Sequence, residues 1–340
     1  MTRLLELPAS RRGKLLVIVG WLVVLGALGP LIGKFESAQK DSTASSLPRS
    51  AESLEVFKLS STFPSGQVTP AVLVVRREGG LTDADRAFVA ARREAWAKAL
   101  PPKAGPLSPP IPSKDGTTIF MASPLSVEGD SKALSNAVDA LRTTAKDGAP
   151  AGLEIAVTGA AGFAADAIEV FSGINGTLLL ATSLLVLVLL LLIYRSPVFW
   201  IVPLLSVFVA EGTVRGLGYL LADRGGVTIT GQTAGITLIL VFGAGTDYAL
   251  LLVARYREEL RRHEDRHAAM RVALRSAGPA ILASGGTVIA ALLCLALADV
   301  NSTNGLGPIG AVGVGVAMVA MLTILPALLL VAGRWIFWPF

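Results

Sequence analysis

Cysteine, histidine and charged residues are all scarce in this sequence. Its one cysteine, Cys294, excludes an intrachain disulfide and a thiolate metal site, and its position in an apolar run predicts a packing role. There is no Walker-type phosphate-binding motif, so ATP is not the predicted energy source. What the sequence lacks therefore argues against disulfide-stapled, zinc-thiolate and nucleotide-driven proteins.

The sequence is instead rich in apolar residues. Hydrophobic side chains make up 52% of it and charged ones 16%, and the mean hydropathy is +0.62. These values are typical of a polytopic membrane protein. The net charge of +5 arises from arginines and lysines in short connectors between apolar runs. This pattern follows the positive-inside rule, so no nucleic-acid partner is predicted.

The first apolar run follows a short basic segment. Ser10-Arg11-Arg12 precedes residues 15–32, and a cleaved signal peptide, including one of the twin-arginine type, is an alternative interpretation. The run is long for a signal core, and Gly33-Lys34-Phe35-Glu36 makes a poor cleavage site. We predict an uncleaved first membrane helix within residues 1–32, with the N-terminus in the cytoplasm of a bacterium.

Five more membrane helices are predicted within residues 176–340, at 177–194, 198–222, 236–256, 276–298 and 307–332. Every arginine-rich connector then falls on the cytoplasmic side of the inner membrane, and the chain ends inside at Arg334. The connector 257–275 is predicted to be an amphipathic helix whose arginines meet anionic membrane lipids.

Residues 33–175 are predicted to form an extracytoplasmic domain between helices 1 and 2. Helices are expected at 51–62, 82–100 and 130–146, strands at 71–76, 117–123 and 153–158, and a proline-rich loop at 101–114. This order indicates a split, ferredoxin-like α+β fold. The domain has no histidine or nucleophile motif, so guiding a substrate is a more natural role for it than catalysis. The segment 159–173 is predicted to be a helix that leads directly into the membrane.

The fourth apolar run, residues 236–256, carries a bare carboxylate at its centre. Asp247 lies about 12 Å along the helix from Arg255, inside the hydrocarbon layer. An ionised carboxylate there is costly, so Asp247 is expected to be neutral, paired or lined by water, and to be functional; gluing helices together is the structural alternative. Gly243 and Gly245 are expected to let another helix approach this face closely.

This run and several other segments resemble the MMPL family of the RND transporter superfamily. The matching segments are GAGTDYALLLVARYREELRR at residues 243–262, Arg195-Ser196-Pro197, Gly285-Gly286-Thr287 and Leu325-Pro326-Ala327. The resemblance implies export of lipids or small lipophilic compounds, driven by proton flow. It also implies that Asp247 and Tyr248 form a proton relay, supported by Ser284 or Thr287. Protons would be the coupling ion, with no cofactor.

Adjacent residues on a helix point about 100° apart, so Tyr248 is not expected to serve Asp247 directly. A tyrosine from a second transporter half would serve it better, and family members carry two halves in one polypeptide. The sequence shows one such half. The alternatives are a homodimer, a second polypeptide that supplies the other half, or a longer protein of which this is a fragment.

Glu211 is a second carboxylate within an apolar run. Arg215 lies one helical turn further on, in the order that favours an ion pair, and this mutual neutralisation is the leading interpretation. A second proton site or a substrate contact is the alternative.

Two other functions are weighed against transport. Sterol-sensing domains resemble the same block of helices, so a lipid-binding sensor or scaffold without proton flux is the rival. The segment from His263 to His267 matches the H-E-x-x-H zinc-hydrolase pattern, with both histidines expected on one helix face. This segment is a charged connector without a third ligand, so neither a metal site nor an enzyme is predicted.

Overall fold

A computed structural model describes residues 7–39, 47–48, 50–60, 62–63, 66, 68–102, 104–126, 131–194, 196, 198–333 and 336. The chain divides into two compact units, one made of residues up to Ala38 and from Ile174 onward, the other of Gln39–Gly173. A short 3-10 helix at Leu7–Ala9 comes first. In chain order the further elements are α1 (Gly13–Ile32), α2 (Glu52–Ser60), β1 (Thr69–Arg76), α3 (Asp83–Ala99), β2 (Ile111–Pro112), β3 (Thr118–Leu125), α4 (Ser131–Lys146), β4 (Glu154–Thr158), α5 (Gly159–Tyr194), α6 (Ile201–Asp223), α7 (Gly231–Arg262), α8 (Arg266–Cys294), a 3-10 turn at Leu295–Leu297 and α9 (Asn301–Ala332).

The unit Gln39–Gly173 contains a four-stranded antiparallel sheet in the order β2-β3-β1-β4. β1 pairs with both β3 and β4, and β2 pairs with β3. With α3 between β1 and β2, and α4 between β3 and β4, this is the split β-α-β arrangement of a ferredoxin-like fold, as predicted. One strand was missed: Ile111–Pro112 lies in the stretch predicted to be a loop. It tolerates proline because it is an edge strand.

Alternation along the strands places one face of this sheet in a hydrophobic core. Leu73 of β1 and Met121 of β3 are fully buried there, together with Trp96 of α3 and Leu141 of α4. α3 begins with a capping box in which Thr82 and Asp85 satisfy each other's backbone amides. At the junction of β4 and α5, Gly159 has φ +82°, and a Cβ there would lie 2.8 Å from the carbonyl oxygen of Pro70. Glycine thus permits a tight turn into the long helix.

Six helices of the described chain are long and apolar enough to cross a membrane: α1, the part of α5 from Gly176, and α6 to α9. Their starts and ends differ from the predictions by up to ten residues, the largest difference being at the start of α8, where polar residues extend the helix beyond its apolar run. α9 is packed against α1, α6, α7 and α8. The core lies mainly between α6, α7 and α9, whereas few residues are buried in the most apolar parts of α1, α5 and α8.

The prediction that residues 257–275 form one amphipathic helix was wrong, because the helix breaks between α7 and α8 within this segment. α7 continues to Arg262, His263 takes an extended conformation, and α8 starts at Arg266. Asp265 caps α8 by accepting a hydrogen bond from the backbone amide of His267, and this bond holds the pKa of the Asp265 carboxyl below its usual value. The N-cap residue Asp265 thus starts a new helix at a place where helical periodicity alone predicts a continuous one.

Candidate functional site

The face of α7 that carries Asp247 has no helix packed over it in the described chain. Its exposed residues recur every three or four positions, which is the spacing of one helix face. They are Gln232, Ile236, Ile239, Gly243, Asp247, Leu251 and Ala254. We call this set the α7 stripe. It is apolar except for a glutamine near its start and a carboxylate at its centre.

Asp247 points outward from the bundle. Within the described residues its carboxylate takes part in no hydrogen bond or salt bridge. It lies two helical turns from Arg255, where the charged end of α7 begins. In this unit alone, the carboxylate therefore has no partner that would stabilise it within a bilayer.

Tyr248 points the other way, into the bundle, and is 6% exposed. Its hydroxyl forms a hydrogen bond with that of Ser284 on α8 and interacts electrostatically with Asp247. A Cβ added at Gly285 would lie 3.2 Å from the Tyr248 oxygen and 2.7 Å from the sulfur of Met318 on α9. Gly285 thus makes room for the tyrosine where three helices meet. The expected 100° separation holds, but the hydroxyl finds its partner within this chain.

The other predicted site residues differ in whether they are packed or exposed. Thr287 is exposed on α8 and donates its hydroxyl to the carbonyl of Ala283 in its own helix. Gly245 packs closely, since a Cβ there would lie 3.2 Å from Val207 of α6. Gly243, predicted to be a packing glycine, has nothing within 4 Å among the described residues. It is an open position on the α7 stripe.

Glu211 and Arg215 of α6 form the expected ion pair, in which Arg215 Nε donates to Glu211 Oε1 at 3.0 Å. The structure adds a third member, Glu36, whose Oε1 lies 3.8 Å from Arg215 Nη1. Glu36 was missed because it lies in the turn after α1, far away in sequence. Its place between an apolar helix and a soluble domain was the available signal.

The H-E-x-x-H segment does not lie on a single helix. His263 is the C-cap residue that follows α7, and its Nδ1 lies 3.4 Å from Glu259 Oε2. His267 is in the first turn of α8, where its Nδ1 is 3.0 Å from the carbonyl oxygen of Ala9. The expectation that both histidines share a helix face was therefore wrong. The described residues contain no group of three or more side chains suited to hold a metal ion.

The arginine-rich end of α7 is largely self-paired. Arg255 bonds to Glu258 and lies 3.2 Å from Glu259 Oε1, and Arg262 lies 2.8 Å from Glu258 Oε1. These pairs are three or four residues apart, the spacing that supports a helix beyond its apolar part. They fix the charged end of the span. Of the matching Arg195-Ser196-Pro197 turn, only Ser196 is described; it is buried and donates to the carbonyl oxygen of Ile336.

Comparison with known proteins gives one consistent result. The model of the MMPL family matches residues 45–340. ActII-3 of Streptomyces coelicolor is 46% identical over 341 residues, which cover 100% of this chain and 48% of that protein. The "Apo-petrobactin exporter" of Bacillus anthracis is 34% identical, covering 98% of this chain and 48% of that protein. The "Probable transport protein MmpL10" of Mycobacterium leprae is 30% identical over 67% of this chain and 23% of its own length.

The chain thus spans about half the length of the first two of these relatives.

Proposed function

Because the chain belongs to the MMPL family, we propose that it is one six-helix unit of a transporter that exports lipids or lipophilic small molecules across a bacterial inner membrane, driven by proton flow. One observation carries the proposal: Asp247 is an exposed carboxylate at the centre of the largely apolar α7 stripe, on a helix long and apolar enough to cross a membrane. Relatives named as exporters or transport proteins support the same class of function.

The chemistry of Asp247 suits a proton carrier. A bare carboxylate facing lipid would cost about 2.5 to 3.5 kcal/mol or more. A second six-helix unit of the same kind, packed on the α7 stripe, would remove Asp247 from lipid and enclose it. An enclosed carboxyl group can take up a proton from one aqueous side and release it to the other. The open space at Gly243 lets the two units approach closely.

Tyr248 and Ser284 lie on the bundle side of Asp247 and stabilise the helix segment that carries it. The buried Tyr248 hydroxyl interacts with the hydroxyl of Ser284, an exposed residue of α8, and with the charge of Asp247. The two hydroxyls can thus keep α7 and α8 in contact when the charge of Asp247 changes. Thr287 lies one turn further along α8. Protons are the coupling ion in this scheme, and no cofactor, catalytic step or nucleic acid is involved.

In the proposed orientation both termini are cytoplasmic and the ferredoxin-like domain is outside. The domain would receive the lipophilic substrate from the membrane and guide it onward. Membrane lipids are the surroundings of α1, α5 and α8, whose apolar side chains are exposed along much of their length.

Inside-out membrane vesicles from cells that express the chain test the proposal. With respiration supplying the proton gradient, the vesicles should accumulate the lipophilic dye Nile red, and a protonophore should abolish the accumulation. Asp247→Asn should reduce it by at least about ten-fold, because an amide cannot carry the proton. Asp247→Glu keeps a carboxylate and is the matched control, which should retain part of the activity.

Accumulation by Asp247→Asn equal to that of the unmodified chain, at equal amounts in the membrane, would overturn the mechanism. Lipid binding without any gradient-dependent accumulation would instead favour the sensor or scaffold.

A further inference from the structure

Glu211 lies near the middle of α6, about 15 Å along the helix from Ile201 and about 18 Å from Asp223. Its side chain is 8% exposed. One carboxylate oxygen accepts the hydrogen bond from Arg215, but Oε2 is buried and has no hydrogen-bond partner among the described residues. Burying an acceptor without a partner is costly, so half of this carboxylate is poorly stabilised as an anion.

Arg215 extends from this carboxylate toward Glu36. The Arg215 side chain is 22% exposed and that of Glu36 is 56% exposed, so exposure rises along the series Glu211, Arg215, Glu36. We call these three residues the acidic triad. It leads from the middle of α6 to the turn after α1, from which the chain continues into residues 39–173; we call the end of the bundle that carries this turn the domain-side end.

The packing of α1 on α6 holds the acidic triad together. Gly212 and Gly216 are four residues apart, and their side of α6 contacts Leu25, Leu28 and Ile32 of α1. After α1 ends, Phe35 is buried against Gly218 of α6 and Ile309 of α9. This anchor fixes the next residue, Glu36, beside Arg215.

The acidic triad has two carboxylates and one guanidinium, so its net charge is −1 when both acids are ionised. No other cation lies within salt-bridge distance of Glu211 in the described chain. Of the helices packed on α6, α9 has no charged residue, α1 has only Lys14 in its first turn, and the only charge of α7 before Arg255 is Asp247 on the exposed stripe. Arg215 is therefore the one cation of the described chain within salt-bridge distance of the two acids; Lys34, two residues before Glu36, is exposed and outside that distance.

A second unsatisfied group lies at the same helix junction. The Thr237 hydroxyl of α7 is buried without a hydrogen-bond partner among the described residues. Thr237 and Val214 both lie against Gly313 of α9, and Val214 is three residues from Glu211 on α6. Glu211 Oε2 and the Thr237 hydroxyl are thus two buried polar atoms without hydrogen-bond partners among the described residues of neighbouring helices. A proton on Glu211, or a buried water, would give such atoms a partner.

We propose that Glu211 is a second proton-binding residue of this unit, separate from Asp247, and that Arg215 passes from Glu211 to Glu36 when Glu211 takes up a proton. The proton comes from water at the domain-side end and binds the Glu211 carboxylate, which becomes a neutral acid. Arg215 stays protonated, and the charge of the acidic triad changes from −1 to 0. The buried acid takes the proton, because Glu36 remains hydrated.

The inference rests on the proposed function for its role, as an entry point for protons on the domain side. Its chemistry can be tested without transport. The full chain in lipid nanodiscs is examined by infrared difference spectroscopy between about pH 8 and about pH 5. A band from the C=O stretch of a buried protonated carboxylic acid should grow as the pH falls.

Three variants assign this band, each checked for an unchanged size-exclusion profile. Glu211→Gln should remove it, and Asp247→Asn should leave it in place. Glu36→Gln, at a largely exposed residue, should reduce its amplitude at the same pH by roughly two-fold or more, because Arg215 then balances Glu211 alone. A band that persists in Glu211→Gln, or that is unchanged in Glu36→Gln, would overturn the inference.

Failure of this inference and failure of the proposed function are distinguishable. A Glu211 band in a chain that shows no gradient-driven dye accumulation would refute the exporter and leave the proton site standing. Accumulation that depends on Asp247, without a Glu211 band, would refute the proton site alone.

Discussion

Asp247 and Glu211 show how surroundings, more than residue type, decide the role of a carboxylate in a membrane helix. Asp247 is exposed and has no hydrogen-bond partner in the described chain, whereas Glu211 is buried and half-paired with Arg215. Asp247 therefore needs another protein unit to cover it, whereas Glu211 needs a proton or a change of partner. Both lie near the middle of helices that are long and apolar enough to cross a membrane.

The Tyr248–Ser284 contact gives a prediction at the same scale. If the two hydroxyls act through each other, Tyr248→Phe and Ser284→Ala should each slow dye accumulation, by roughly three- to ten-fold, and the double variant should be no slower than the worse single one. Initial accumulation rates in inside-out vesicles measure this. Thr287→Ala is the control, since its hydroxyl bonds to its own helix. Additive losses would show that the hydroxyls act separately.

Asp85 gives a prediction on pH and stability. Paired hydrogen bonds from Arg77, at 2.7 Å each, and further bonds from Thr82 hold the pKa of this buried carboxyl far below its usual value. A depressed pKa stabilises the folded domain fully above the unfolded value of about 3.9, and this stability is lost as the pH falls below it. Hydrogen exchange of β1 and α3, corrected for the intrinsic rate, should show protection falling from about pH 5 downward.

Asp85→Asn should remove this acid dependence. It should also lower the thermal midpoint of the domain at neutral pH by roughly 5 to 10 °C, because Arg77 loses its partner. Glu94→Gln breaks an exposed pair with Lys98 and should leave the midpoint close to that of the unmodified chain. An acid transition that is unchanged in Asp85→Asn would contradict this account.

At the scale of elements, α6 packs on three other helices of the bundle through close contacts at glycines. It meets α1 through Gly212 and Gly216, α7 through Val207 at Gly245, and α9 through Val214 at Gly313. Small residues let the backbones of two helices approach closely. Within a bilayer this close packing, and not the hydrophobic effect, drives the association of helices. The position of Arg215 beside Glu36 follows from this approach.

Two glycines on the same face of α6 make a matched test. A Cβ at Gly216 would lie 2.7 Å from the Cβ of Leu28, which cannot move without α1, whereas at Gly212 the nearest atoms are side-chain tips at 3.5 Å. Gly216→Ala should therefore cost about 1 to 3 kcal/mol of stability. Gly212→Ala should be neutral or stabilising, because alanine favours the helix. Thermal unfolding in detergent compares them, and equal midpoints would argue against close α1–α6 packing.

For the whole molecule, the α7 stripe predicts association. The chain spans about half the length of two of its relatives, and the stripe is the face that a second unit would cover. In the purified protein a second copy can supply that unit. Native mass spectrometry should therefore give twice the mass of one chain, and Gly243→Trp, which fills the open centre of the stripe, should reduce it to one.

Gly20→Trp is the control, since Gly20 is equally open but lies on α1. A unit mass for the unmodified chain would exclude self-association and direct the search to another polypeptide. A Gly243→Trp chain that keeps twice the mass of one chain would mean that the stripe is not the contact.

The sequence by itself determined the class of molecule. Six apolar runs, arginine-rich connectors and the order of helices and strands in residues 51–158 are local signals, and they predicted six membrane helices and a ferredoxin-like domain. The different directions of Asp247 and Tyr248 and the pairing of Glu211 with Arg215 could also be predicted, because each depends on spacing within one helix. The break at His263 was missed, since a single N-cap at Asp265 outweighed the helical period.

Only the tertiary structure decided which side of each helix is covered. That Asp247 faces outward, that Tyr248 is satisfied by Ser284, and that Glu36 joins Glu211 and Arg215 all depend on contacts between segments distant in sequence. A helical period repeats around the axis and does not say which neighbour packs on which face. Close approach at glycines such as Gly216 and Gly285 fixed that choice, because bulkier residues there would hold the helices apart.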